Sequence, residues 1–115
     1  MNNTYEKEIR YRLLKLLSHD PHLTQREMSQ KMGISLGKIN YCLSQLAEKG
    51  MVKIGRFKGS KNKIGYIYNL TPGGLEEKAR LTLSFLRHKK QEYEEIKKQI
   101  EELTKEAEQG GLSIF

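Results

Sequence analysis

Four cations, Arg56, Lys58, Lys61 and Lys63, fall within one short stretch, and no acid stands among them. Such a cluster suits a polyanion, and nucleic acid is the commonest partner of that kind. Other groups with chemical capacity are sparse. His19, Asp20 and His22 are types that bind metal, but with one distant cysteine and a turn setting they read as a solvated interhelix turn. Ser18 and Ser44 have no His/Asp arrangement to activate either hydroxyl. Cys42 shares a helical stripe with Ile39, Leu43 and Leu46, which reads as a buried small hydrophobe rather than a redox sensor. The ten glycines sit at helix ends, in a hairpin and in pairs at 73–74 and 110–111, with no phosphate-cradling loop. No catalysis, no cofactor and no bound metal is expected.

The elements that carry these residues come from a chain of 115 residues, room for one domain and an arm. There are 21 Lys and Arg against 14 Asp and Glu, a net charge of +7. Its distribution is more informative than its sum. Residues 1–70 hold 13 basic and 5 acidic side chains, +8, whereas residues 71–115 hold 8 and 9, −1. Apolar residues make up 37%, below the ~45–50% usual for a globular chain, so the core is modest and a partner subunit is expected. Apolar runs are short, as in Leu13-Leu14 and Leu16-Leu17, which excludes a membrane span of ~20 apolar residues. The first residues form no apolar stretch of the signal-peptide kind, and one cysteine allows no internal disulfide. A small, basic, cytoplasmic protein is the expectation.

Periodicity predicts a mainly α chain with a small β-hairpin. Ile9, Leu13, Leu16 and Leu17 make residues 5–18 an amphipathic helix, broken at Pro21. Thr24 and Glu27 have capping-box spacing and open a second helix with Met28 and Met32 inward, stopped by Gly33. Ser35 caps a third helix, in which Ile39, Cys42, Leu43, Leu46 and Ala47 face inward, and Lys49-Gly50 ends it. Two short helices about a tight turn, with Ile34 plugging the angle, form a helix-turn-helix. The period then falls to two over residues 51–57 and 64–70, a hairpin with the cations at its tip.

Thr71 at N-cap and Pro72 at N1 begin a long helix over 72–108, roughly 55 Å at ~1.5 Å per residue. Leu75, Ala79, Thr82, Leu86, Lys89, Tyr93, Ile96, Ile100, Leu103 and Ala107 advance in steps of four and three, a heptad seam. Leu83 and Phe85 lie off it and are expected to dock the helix base. Beyond Tyr93 only the seam is apolar, so a partner helix must cover it. The expected homodimer contact is Leu86, Tyr93, Ile96, Ile100 and Leu103. The expected organisation is a DNA-binding domain over 1–71, a dimerisation helix over 72–108 and a tail over 109–115.

The stretches "LTQREMSQKMGIS" and "LAEKGMV" resemble the MarR family of bacterial transcriptional regulators. "GKINYCLSQLAEKGMVK", "YNLTPGGLEEKARLTLSFLRHK" and "EYEEIKKQIEEL" look like its short subgroup associated with exopolysaccharide gene clusters. The resemblance implies a winged helix-turn-helix followed by a coiled-coil-like helix, and a homodimeric regulator of double-stranded DNA. It implies that the helix over 35–49 enters the major groove; with Ile39, Cys42, Leu43 and Leu46 inward, the outward positions are Leu36, Gly37, Lys38, Asn40, Tyr41, Ser44 and Gln45, and Ser35 at the cap is a further DNA-binding candidate. Asn40 and Gln45 suit adenine, and Lys38 suits guanine or phosphate. Thr24, Gln25 and Arg26 suit phosphate at a helix N-terminus, and Arg56, Lys58, Lys61 and Lys63 suit phosphate or the minor groove. The first helix corresponds to the first helix of the winged domain, so the family's N-terminal dimerisation helix is not expected in this chain. A simple coiled-coil dimer is therefore expected, the family's ligand pocket is not carried over, and any small-molecule effector is unknown. The rival reading is a winged protein-interaction module whose long helix pairs with another protein.

Overall fold

The computed structural model describes residues 3–59 and 64–112. Local signals set each element. α1 (Asn3–His19) precedes α2 (Gln25–Met32) and α3 (Leu36–Glu48); strands β1 (Val52–Lys58) and β2 (Ile64–Leu70) follow, then α4 (Pro72–Gln109). At α2 the Thr24 hydroxyl accepts from the Glu27 amide while Glu27 accepts from the Thr24 amide, the full capping box. Gly33 ends α2 in the left-handed region at φ 66°, where a side chain would be strained. The Ser29 hydroxyl donates to the Ile34 carbonyl and ties down the turn, with Ile34 half-buried. Ser35 caps α3 by accepting from the Lys38 amide.

The chain divides into two compact units, residues 1–82 and 83–115, and α4 begins in the first and ends in the second. In the first unit Ile9, Leu13, Leu14 and Leu17 of α1, Leu23, Met28 and Met32, and Ile39, Leu43 and Leu46 of α3 are buried together with Val52, Tyr68 and Leu81. Each large side chain so covered contributes about 1.5–3 kcal/mol. Leu14 is buried where the amphipathic pattern favours Leu16, which is half-buried. The reason is that α1 packs against both α2 and β2, so it needs a wider apolar face than a helix covered on one side. An Arg12 guanidinium nitrogen donates to the Met32 carbonyl at 3.1 Å and supplies a cation at the C-terminus of α2.

β1 and β2 pair antiparallel in the register Val52↔Leu70, Ile54↔Tyr68, Arg56↔Tyr66 and Lys58↔Ile64. The Tyr68 amide donates to the Pro21 carbonyl at 2.9 Å, joining the hairpin to the α1–α2 turn. Thr71 opens α4: its hydroxyl accepts from the Gly74 amide at 3.1 Å and donates to the Gly50 carbonyl. Gly74 is a close approach, since a Cβ there would stand 2.0 Å from the Met51 carbonyl oxygen.

The base of α4 departs from the heptad reading. Gly74, Glu77 and Leu81, spaced three and four apart, are its buried residues, whereas Leu75, Ala79, Thr82 and Leu83 are exposed. Leu81 is 0% exposed and Leu83 48%, so Leu81 and not Leu83 docks; Phe85 is half-buried. Glu77 is buried with its carboxylate on Arg10 at 2.9 Å and Arg80 at 2.5 Å. In the second unit Leu86, Tyr93, Ile96, Ile100 and Leu103 are all exposed.

Candidate nucleic-acid interface

The residues proposed to meet DNA belong to α2, α3 and the hairpin of the first unit. Thr24 is engaged as the α2 cap, and Arg26 beside it is exposed. The Glu27 carboxylate of the capping box adds an acid at that helix start, which opposes an anion there. Gln25 is half-buried and makes two side-chain bonds. Its Nε2 donates to the Tyr68 hydroxyl at 3.2 Å, and its Oε1 accepts from Asn40 Nδ2 at 3.3 Å. Two residues assigned to separate tasks in the sequence, Gln25 for phosphate and Asn40 for a base, are thus hydrogen-bonded to each other.

On α3, Leu36, Asn40, Tyr41 and Ser44 are exposed, and the Ser44 hydroxyl donates to the Asn40 carbonyl at 2.9 Å. Ser35 is exposed, with its oxygen accepting at the cap. Lys38 and Gln45 are half-buried rather than fully outward. With Glu6, Ile9 and Arg10 of α1 they line a cavity of about 80 Å³, to which Tyr41 and Cys42 also contribute. The Lys38 ammonium lies 5.4 Å from the centre of the Tyr41 ring. Cys42, expected buried, is half-buried at this cavity because the α1 side chains around it leave space. Burial holds its thiol pKa above the ordinary value, opposed by Lys38 and Arg10 and assisted by Glu6. A raised thiol is a poor nucleophile.

The hairpin divides by face. Arg56 and Tyr66 are a directly opposed pair, with the guanidinium carbon 5.8 Å from the ring centre. Phe57 on the other face meets the His22 ring edge-on at 4.9 Å. Arg56 and Lys58 are exposed; Lys61 and Lys63 lie outside the described residues. His19 and Asp20 are in local bonds, His19 Nδ1 with the Lys15 carbonyl at 2.8 Å and Asp20 accepting from the His22 amide at 2.9 Å. Among the described residues no three His, Cys, Asp or Glu side chains are grouped to hold a metal ion, and no helix is long and apolar enough to cross a membrane.

Tyr68 is the site residue that periodicity alone passes over. Its ring is buried, and only its hydroxyl reaches Gln25. The alternation of β2 carries a signal for it, since exposed Tyr66 and buried Tyr68 share the face that runs from hairpin tip to root.

Residues 6–53 match the model of a family described as winged helix-turn-helix DNA-binding. No curated protein matches the chain. Among solved structures, a MarR/EmrR family transcriptional regulator from Acinetobacter sp. ADP1 is similar at TM-score 0.60 and 23% identity, over 88% of this chain and 72% of that one. The PcaV transcriptional regulator from Streptomyces coelicolor follows at 0.58 and 21%, over 87% and 78%. A MepR mutant from S. aureus bound to an oligodeoxyribonucleotide gives 0.56 and 18%, over 88% and 77%. The chain thus carries a winged helix-turn-helix domain, and its structural neighbours are transcriptional regulators of the MarR type, not enzymes.

Proposed function

We propose that this chain is a sequence-specific, double-stranded DNA-binding transcriptional regulator that works in the cytoplasm as a homodimer. The observation that carries the reading is the outer face of α3, where Asn40, Tyr41 and Ser44 stand exposed with no acid before Glu48. Support comes from the hairpin, whose exposed Arg56 and Lys58 extend a stretch without a carboxylate. Asn40 reads a base edge, Gln45 and Lys38 touch the groove flank, and Thr24, Gln25, Arg26 and Ser35 meet the backbone at helix starts. Arg56, Lys58, Lys61 and Lys63 follow phosphate or the minor groove. The exposed seam of Leu86, Tyr93, Ile96, Ile100 and Leu103 takes a second copy. On the resemblance of its α3 and α4 phrasing, the regulated genes are exopolysaccharide genes.

The test is binding to random and selected duplexes across a salt series. Affinity should fall steeply with salt. The triple variant Lys58→Ala, Lys61→Ala, Lys63→Ala should flatten the slope by up to roughly one unit for each phosphate that is no longer neutralised. Fragments selected from genomic DNA should cluster at exopolysaccharide genes. A triple variant with its slope intact counts against the phosphate role of the hairpin and favours the protein-interaction module.

A further inference from the structure

Three side chains from three elements form one chain of hydrogen bonds: Tyr68 on β2, Gln25 at the first position of α2, and Asn40 in the middle of α3. The two links differ in exposure. Tyr68 is 3% exposed and its backbone amide is held by Pro21, so its hydroxyl is a fixed point. Gln25 is half-buried and Asn40 is exposed. The chain therefore runs from the core to the outer surface of α3.

A carboxamide can turn over and exchange its oxygen and nitrogen at little steric cost, so an exposed asparagine presents two patterns to a partner. Here Asn40 gives one Nδ2 hydrogen to Gln25 Oε1. Gln25 is itself tethered at its other end, with its Nε2 on the Tyr68 hydroxyl oxygen. The second Nδ2 hydrogen and Oδ1 of Asn40 then remain for a ligand. That donor and acceptor pair is what adenine's N7 and N6 amino group require in the major groove.

We propose that Tyr68 and Gln25 are positioning residues that hold the Asn40 carboxamide in place on the outer face of α3 and so sharpen its preference for an A·T pair. The inference rests on the DNA-reading function proposed above. Tyr68 stays in the core throughout and acts only through Gln25. Its strand is one half of the hairpin, so the same residue links the hairpin to the reading face of α3. A phenol both donates and accepts, so it does not choose which carboxamide atom faces it; it anchors the Gln25 side chain in place, and without that anchor Gln25, and with it Asn40, ranges over more rotamers. Tyr68→Phe keeps the ring and its packing and removes only that oxygen.

The probe is a duplex selected by the unaltered protein from a randomised pool, together with its single-base-pair variants. Asn40→Ala should remove about five- to a hundredfold of discrimination at one A·T position. Tyr68→Phe should remove roughly two- to tenfold at that same position and leave random-duplex affinity and salt slope unchanged. The double variant should discriminate no worse than Asn40→Ala alone, because the phenol has nothing left to orient. A purely structural tyrosine would weaken all duplexes alike. If Tyr68→Phe does not fold, Gln25→Ala breaks the chain at its half-exposed middle link and must lower the preferred-to-variant affinity ratio at that same A·T position, over and above the uniform loss from its backbone contact. Discrimination abolished in Asn40→Ala but intact in Tyr68→Phe and Gln25→Ala, or additive effects in the double variant, overturns the positioning role and spares the DNA reading. An Asn40→Ala protein that discriminates normally overturns both.

Discussion

Leu81 and Ile96 lie on one continuous helix and have opposite fates. The first is completely buried, the second 54% exposed. Around Leu81 the chain has folded helices and a hairpin into a unit that buries a core of its own. Among the described residues of the second unit the one regular element is the end of α4, and a single helix cannot bury its own stripe. The difference teaches that apolar content means self-sufficiency in one region and incompleteness in the other. Charge divides similarly, +8 over residues 1–70 and −1 over residues 71–115. The proposed polyanion recognition and the proposed self-association thus fall on separate stretches.

The sharpest way to break this comparison is to charge the seam. Ile96→Glu with Ile100→Glu should turn the proposed dimer into a monomer at every accessible concentration, since each heptad layer would bury a carboxylate. Sedimentation should show half the mass, and the helical signal of residues 1–82 should persist. An unchanged dimer would locate the interface elsewhere. Next in size is a pair of adjacent glycines in the first turn of α4. Gly74→Ala should cost about 3 kcal/mol, because the new methyl meets the Met51 carbonyl. Gly73→Ala, with its nearest atom at 3.5 Å, should gain up to about 1 kcal/mol from helix propensity. Denaturant melts of the two variants should move in opposite directions.

The two ion pairs of Glu77 give a smaller contrast. Glu77→Gln leaves Arg10 without its partner in a largely enclosed site and should cost about 2–3 kcal/mol. Arg80 is 58% exposed, and Arg80→Ala should cost under about 1 kcal/mol. Equal destabilisation on melting would show that the pair is worth the same wherever it sits. The smallest effect concerns Cys42. Its thiol pKa is raised in the folded state, so the contribution to stability is complete below the ordinary thiol range and is lost as pH rises toward the folded value. Alkylation of the native protein should therefore reach half-maximal rate at a higher pH than alkylation in urea, and coincident profiles would remove the burial effect.

Much of the first unit was legible because its signals are local. Thr24 with Glu27, Gly33 and Ser35 each act within four residues, and all four stand at the helix ends predicted for them. The strand pair and the start of α4 at Pro72 were legible for the same reason. The misreading of Leu83 has a definite cause. The heptad stripe does not govern the base of α4, because that segment docks by another stripe, Gly74, Glu77 and Leu81. Only the partners of a helix decide which stripe is buried, and those partners are distant in sequence. Arg10 lies 67 residues from Glu77, and Gln25 lies 43 from Tyr68. For the candidate site, exposure of Asn40, Tyr41 and Ser44 followed from the period of α3, whereas the half-burial of Lys38 and Gln45 required knowing that α1 runs alongside.

The bond from Thr71 to the Gly50 carbonyl has a consequence in the terms of polymer physics. Together with the bond from the Thr71 amide to the Met51 carbonyl, it clasps the hairpin at its root. The hairpin thereby becomes a loop closed at its neck, and the entropy of closing a loop grows only with the logarithm of its length. Doubling the chain between these two anchors adds about 0.6 kcal/mol. Residues inserted between β1 and β2 should therefore cost the fold little.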